Sequence, residues 1–143
     1  MSTPVPAPAL VAPQVARLEA SKLAELLHDS ARSRPIIVDV RDPGTSGGFI
    51  RDALSVPKVN FESDEFVDAF IKEHTQDELL VFHCLNSNGR GPFCAGRVFD
   101  RISEVLKDAD AKPEVKILKG GFKVFSEQYG SDENLVDPSD LPL

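Results

Sequence analysis

The sequence predicts an α/β fold with a mainly parallel central sheet and helices on both faces. Residues 79–82 are a continuous apolar run and, with residues 35–40, read as strands buried on both sides, and residues 115–118 read as a further strand. Between them, apolar residues recur at three- and four-residue steps, the pattern of helices with one buried face. Strands alternating with helices favour parallel pairing, because a parallel neighbour needs a crossover connection.

The elements follow in chain order. Residues 1–13 are uncharged and punctuated by Pro4, Pro6, Pro8 and Pro13, which predicts an extended, disordered arm. Ser21 is a candidate N-cap for a helix reaching His28, with Leu23, Leu26 and Leu27 inward. Residues 35–40 form a buried strand, ended by the polar turn Arg41, Asp42, Pro43 and Gly44. Gly47 and Gly48 mark a second turn, and residues 53–56 a short strand before Pro57. Ser63 caps a helix whose stripe is Phe66, Val67, Phe70 and Ile71, with Asp64 and Glu65 suited to the positive end of its dipole. A strand at 79–82 precedes a polar loop. Cys94, Ala95, Val98, Phe99, Ile102, Val105 and Leu106 then give the stripe of a helix ending near Lys107. Residues 115–118 are a strand, Gly120 and Gly121 a turn, and Phe122, Phe125 and Tyr129 belong to a short last helix. The expected organisation is an arm at 1–13, one catalytic domain at 14–130 and a tail at 131–143.

Composition narrows the function. The chain has 143 residues, enough for one core, with 16 Lys and Arg against 23 Asp and Glu and a net charge of −7. No basic stripe of the kind nucleic acid requires, no Walker loop and no internal repeat is present. No apolar run approaches bilayer length, and the start lacks the pattern of a signal peptide. Three His and two Cys show no metal-ligand spacing. Two Cys without a paired framework suit a reducing compartment, so cytoplasm or nucleus is expected.

The chemistry concentrates in one segment. An apolar strand runs into His83 and Cys84, then Leu85, Asn86, Ser87, Asn88 and Gly89, then Arg90 and a helix start. A loop of that length can turn its amide N–H groups and the Arg90 guanidinium onto one oxyanion, with Cys84 beneath as a thiolate nucleophile. Gly89 can adopt positive φ freely, Gly91 supplies a hinge, and Pro92 suits a first helical position. No acid occurs over residues 81–99, whereas Arg90 and Arg97 do, so an anion is attracted locally on an acidic protein. The helix N-terminus and Arg90 are expected to lower the Cys84 pKa. The alternative is a buried structural Cys followed by a polar turn. His83 either orients the loop through its ring nitrogens or packs. Cys94 is a resolving thiol or, on the inward stripe of its helix, a core residue.

Four segments together resemble a known family: Asp39-Val40-Arg41; Gly47-Gly48-Phe49-Ile50; His83-Cys84 through Arg90-Gly91-Pro92; and Leu118-Lys119-Gly120-Gly121-Phe122. In order and spacing they resemble the small single-domain rhodanese-fold enzymes related to the M-phase inducer (cell-division-cycle) dual-specificity phosphatases and the eukaryotic arsenate reductases. The resemblance covers residues 14–130 and implies a rhodanese-like fold, Cys84 as nucleophile, Arg90 as oxyanion clamp, and the amides from Leu85 to Arg90 as the cradle. In this fold the sulfurtransferases use a loop one residue shorter, so the loop here suits phosphate or arsenate. Three features of the cell-cycle enzymes are missing: an acid within the loop, a second Cys where this chain has Val40, and a His where it has Phe49. A role in mitosis and a protective disulfide therefore do not follow.

The expected activity is a cysteine-dependent phosphatase of the tyrosine or dual-specificity type, acting through phosphocysteine. The alternative is a thiol-dependent arsenate reductase. A sulfurtransferase or a non-catalytic binding module of this fold stands behind both. The substrate would be a phosphorylated protein or a small oxyanion. No cofactor is expected beyond an external thiol such as glutathione, with glutaredoxin as partner, in the reductase case. Asp39 is a conceivable proton donor, more naturally a structural group at a strand end.

Overall fold

The computed structural model describes residues 10–143. Five strands, β1 (Ala16–Leu18), β2 (Ile36–Asp39), β4 (Leu54–Ser55), β5 (Leu79–His83) and β6 (Glu114–Leu118), form a sheet in the order β1-β6-β5-β2-β4, parallel at every pairing. β3 (Phe49–Ile50) pairs antiparallel with β7 (Val136–Asp137) to one side. The helices are α1 (Ala20–His28), α2 (Asp64–Glu73), α3 (Arg90–Val105) and α4 (Gly121–Tyr129), with a 3-10 turn at Lys58–Glu62.

The sheet separates two cores, and strand alternation assigns side chains to each. Leu80 and Phe82 of β5 join Phe61, Val67, Phe70, Ile71, Val98 and Ile102 beneath α2 and α3. Val81, one residue out of phase, joins Leu23, Ile37, Leu118, Phe122 and Phe125 beneath α1 and α4. Burial on both faces is why these strands lack polar alternation. Each large side chain so covered contributes on the order of 1.5–3 kcal/mol.

Several expectations are revised. The N-cap of α1 is Glu19, which makes no side-chain cap; Ser21 lies inside the helix, exposed. α3 begins at Arg90, two residues before Pro92. By contrast, the Ser63 side chain accepts from the Phe66 N–H, the expected cap of α2. Of the arm expected at 1–13, residues 1–9 lie outside those described. Val11 and Ala12 are tied down, their carbonyls accepting from the Arg17 guanidinium at 2.5 and 2.6 Å.

The segment 131–143, read as a tail, is packed onto the domain. Leu135, Val136 and Leu141 are buried, β7 lies against β3, and Leu141 exchanges backbone hydrogen bonds with Gly44 and Thr45, each 2.8 Å.

Candidate active site

β5 delivers the chain to the carboxyl end of the sheet, where ligands of parallel α/β folds bind. There His83 is followed by Cys84, by five loop residues, and by Arg90 as the first residue of α3. The turn into the helix is tight enough to require glycine: a Cβ on Gly91 would lie 3.0 Å from the Cys84 nitrogen and 3.1 Å from His83 backbone atoms. That close approach lets the Gly91 N–H donate to Cys84 Sγ at 3.2 Å. The sulfur therefore sits at the amino end of a 16-residue helix, where partial positive charge favours an anion.

The loop residue in the left-handed region is Ser87, with φ 54°, and not Gly89, whose φ is −138°. Ser87 is buried and its hydroxyl has no hydrogen-bond partner. Leu85, Asn86, Asn88, Gly89 and Arg90 are exposed. The N–H groups of Leu85, Asn86, Ser87, Asn88, Gly89 and Arg90 make no hydrogen bond among the described residues, and neither does the Arg90 guanidinium. These donors have no acceptor among the described residues, and the Gly91 N–H is the one seen on the Cys84 sulfur.

The floor of the loop is held from below. The Cys84 carbonyl accepts from His83 Nδ1–H and from the Phe122 N–H, each at 3.0 Å, and the Leu85 carbonyl accepts from the Lys123 N–H at 2.9 Å. The first amides of α4, free of intrahelical partners, thus grip the start of the loop. Beneath lies a buried ionic group. Arg41 donates to both carboxylate oxygens of Asp39, at 2.8 Å from one of its terminal nitrogens, and to the Gly48 carbonyl at 3.0 Å. Its guanidinium carbon stands 4.6 Å from the centre of the Phe122 ring, which is itself stacked on His83 at 6.3 Å.

Burial alone would raise the Asp39 carboxyl, but His83 and the hydrogen bonds and charge of Arg41 outweigh it and hold its pKa below the usual carboxylate value. Burial pushes the His83 pKa below its ordinary value, more than Asp39 and the Cys84 carbonyl raise it. His83 Nε2 is 3.7 Å from Asp39 Oδ2, beyond hydrogen-bond range. Asp39 is thus an ionised group bound to Arg41, and a proton donor is what its ionisation forbids. Cys94 is fully buried and its thiol is pushed up to about 12, chiefly by burial, which places it in the core.

The structure brings His83, Cys84, the loop amides and Arg90 to one site, with Asp39 supporting from beneath. Sequence reasoning left Arg41 in a polar turn and Phe122 in a helix stripe. Their place under the loop depends on contacts across the sheet, and the one local signal was the glycine pair before Phe122, which lets that helix start against the loop.

Among the described residues no group of three His, Cys, Asp or Glu is placed to hold a metal ion, and no helix is long and apolar enough to cross a membrane.

The protein is a parallel α/β domain with a cysteine at a helix N-terminus, after a loop whose amides have no acceptor among the described residues. A Rhodanese-like domain model matches residues 19–128, and the chain belongs to that family. It is 35% identical over 111 residues to arsenate reductase 2.2 of Oryza sativa subsp. japonica, covering 76% of this chain and 79% of the relative. It is 28% identical over 116 residues to dual specificity phosphatase ibp1 of Schizosaccharomyces pombe, covering 71% and 81%. A yeast protein tyrosine phosphatase of the Rhodanese family, Ygr203w, superposes with a TM-score of 0.71 at 23% identity, over 87% of this chain and 93% of that one, which shows the shared fold.

Proposed function

We propose that the protein is a cysteine-dependent phosphatase working on phosphate monoesters through phosphocysteine. The observation that carries this reading is the Cys84 sulfur held by the Gly91 N–H inside a loop whose six preceding amides and Arg90 have no internal acceptor. Cys84 thiolate attacks phosphorus in line; the S–P bond forms as the ester P–O bond breaks and the alcohol oxygen leaves with the bonding pair. Loop amides and Arg90 stabilise charge on the equatorial oxygens. Water then attacks phosphorus, the S–P bond breaks, and phosphate is released with the thiolate restored.

A second reading is favoured by one observation: the loop contains no acid, and Asp39 is ionised and bound by Arg41. Arsenate reduction asks less of a proton donor. Cys84 displaces hydroxide from arsenate to form an S–As bond. An external thiol such as glutathione then attacks the Cys84 sulfur, the S–As electron pair reduces arsenic to arsenite, and glutaredoxin or a second thiol reduces the mixed disulfide.

One purified sample separates the readings when offered p-nitrophenyl phosphate, arsenate with glutathione and glutaredoxin, and thiosulfate with cyanide, each repeated with Cys84→Ser. Cys84-dependent nitrophenol release is the expected result. Arsenite production without it would replace the phosphatase reading, and thiocyanate alone would overturn both.

A further inference from the structure

Beside the catalytic loop lies a groove of about 440 Å³ whose lining includes Ser87 and Asn88 of the loop itself. Its other walls come from the segment at Leu10 and Val11, from Arg17 on β1, from Glu19, and from Lys119 and Gly120 before α4. Cys84, Gly91 and Arg90 are not in its lining, so the groove flanks the loop on the side of Ser87 and Asn88.

The groove sets apolar side chains beside an excess of positive charge. Leu10 and Val11 present apolar side chains that are 68% and 38% exposed, unusual for residues tied to a folded domain. Arg17 spends its hydrogen bonds on the carbonyls of Val11, Ala12 and Val15, all neutral, and faces no carboxylate among the described residues. Lys119 pairs with Glu19 at 3.2 Å in the open. Two cations against one anion leave a positive balance along an apolar wall. Ser87, a lining residue, is more than nine-tenths buried, and its hydroxyl has no partner among the described residues. The loop also holds no acid to donate a proton to the ester oxygen, and without one phenols leave far better than aliphatic alcohols.

We propose that this groove is a subsite for the organic part of the substrate, and that it takes an aryl phosphate monoester whose ring carries a carboxylate. The proposal rests on the phosphatase reading above. The ring lies against Leu10 and Val11, the carboxylate faces Arg17 and Lys119, and the phosphate is delivered to Cys84.

The test uses phosphorylated 3-(4-hydroxyphenyl)propanoate and its isosteric amide. The reading is the ratio of kcat/KM for the acid over the amide in wild type, Lys119→Glu and Glu19→Lys. Wild type should prefer the acid. The ratio should fall roughly three- to tenfold in Lys119→Glu and rise by a similar factor in Glu19→Lys, as expected for reversing one partly exposed charge. The preference should shrink at high salt. Opposite movement by two surface variants cannot come from misfolding. A wild-type ratio near one, or one that neither variant moves, overturns the subsite. The same pair of esters is titrated calorimetrically onto Cys84→Ser, where no turnover is needed. If no ester is hydrolysed, the phosphatase reading fails, and equal affinities in that titration overturn the groove separately.

Discussion

Gly121 abuts the backbone of Leu85 so closely that a Cβ there would lie 2.3 Å from the Leu85 carbonyl oxygen and 2.7 Å from that of Cys84. The amides that follow it grip those same carbonyls, so the start of the cysteine loop and the start of α4 are one joint. Gly121 also has φ 63°, a conformation costly for any residue with a side chain. Gly121→Ala should lose about 2–4 kcal/mol of stability from backbone strain and displacement. Its folded fraction should also lose activity beyond that of a remote variant of equal stability. Urea unfolding alongside turnover checks both; unchanged turnover would detach the joint from the chemistry.

Arg90→Lys should separate function from folding. Arg90 is exposed and makes no hydrogen bond among the described residues, so unfolding should change by no more than about 0.5 kcal/mol. A point charge does not reproduce bidentate donation to two oxygens, and turnover should fall roughly a hundredfold or more. Near-normal turnover would place the anion elsewhere.

Alkylation should distinguish the two thiols. The Cys94 thiol, at about 12, stays protonated at neutral pH and is fully buried. Iodoacetamide should add one group per folded chain, on Cys84, and none to Cys84→Ser, read by intact mass. Cys94→Ala should keep turnover, since its sulfur packs in the core.

Acid should weaken the fold in two stages. A buried His83 whose pKa lies below the ordinary value contributes its full stability above about 6.5 and loses it as pH falls toward its folded pKa, because the unfolded chain takes up the proton first. Asp39, also depressed, loses its contribution lower, as pH drops below about 3.9 toward its own folded pKa. The urea midpoint of wild type should decline from pH 7.5 to pH 5, and His83→Gln should flatten that decline. An equal decline in the variant would assign it to other groups.

Leaving-group quality should control hydrolysis. With no acid in the loop, the slope of log rate against leaving-group pKa should be steep, and Asn86→Glu or Asn88→Glu should make it shallower. A flat wild-type slope would reveal a donor from outside the loop.

The long elements were legible because local pattern and tertiary role agree in them. α3 repeats its apolar residues over four turns, and β5 is apolar from Leu79 to Phe82 because both faces are covered. The elements that escaped notice, β1, β3 and β7, are two or three residues long and exist only through their partners. Ser21 has the composition of a cap, yet the helix starts at Ala20, whose buried methyl fixes the entry. The cysteine loop was readable because nucleophile, loop and helix are contiguous. Arg41 was not: a charged residue beside proline and glycine looks like a turn, and its burial is tolerable because Asp39, Gly48 and Phe122 all engage it.

The register Arg17 against Ile117 sets a timetable for synthesis. The strand that β1 pairs with is made about 100 residues after it, roughly 5–20 s later at ordinary translation rates. Through that interval β2 and β5 can already associate, while β1 and the Arg17 it carries have no edge to join. Nascent chains arrested before residue 114 should therefore leave β1 open to protease, and those extended past 118 should close it. Strand β1, the wall of the groove, is then among the last parts of the sheet to be put in place.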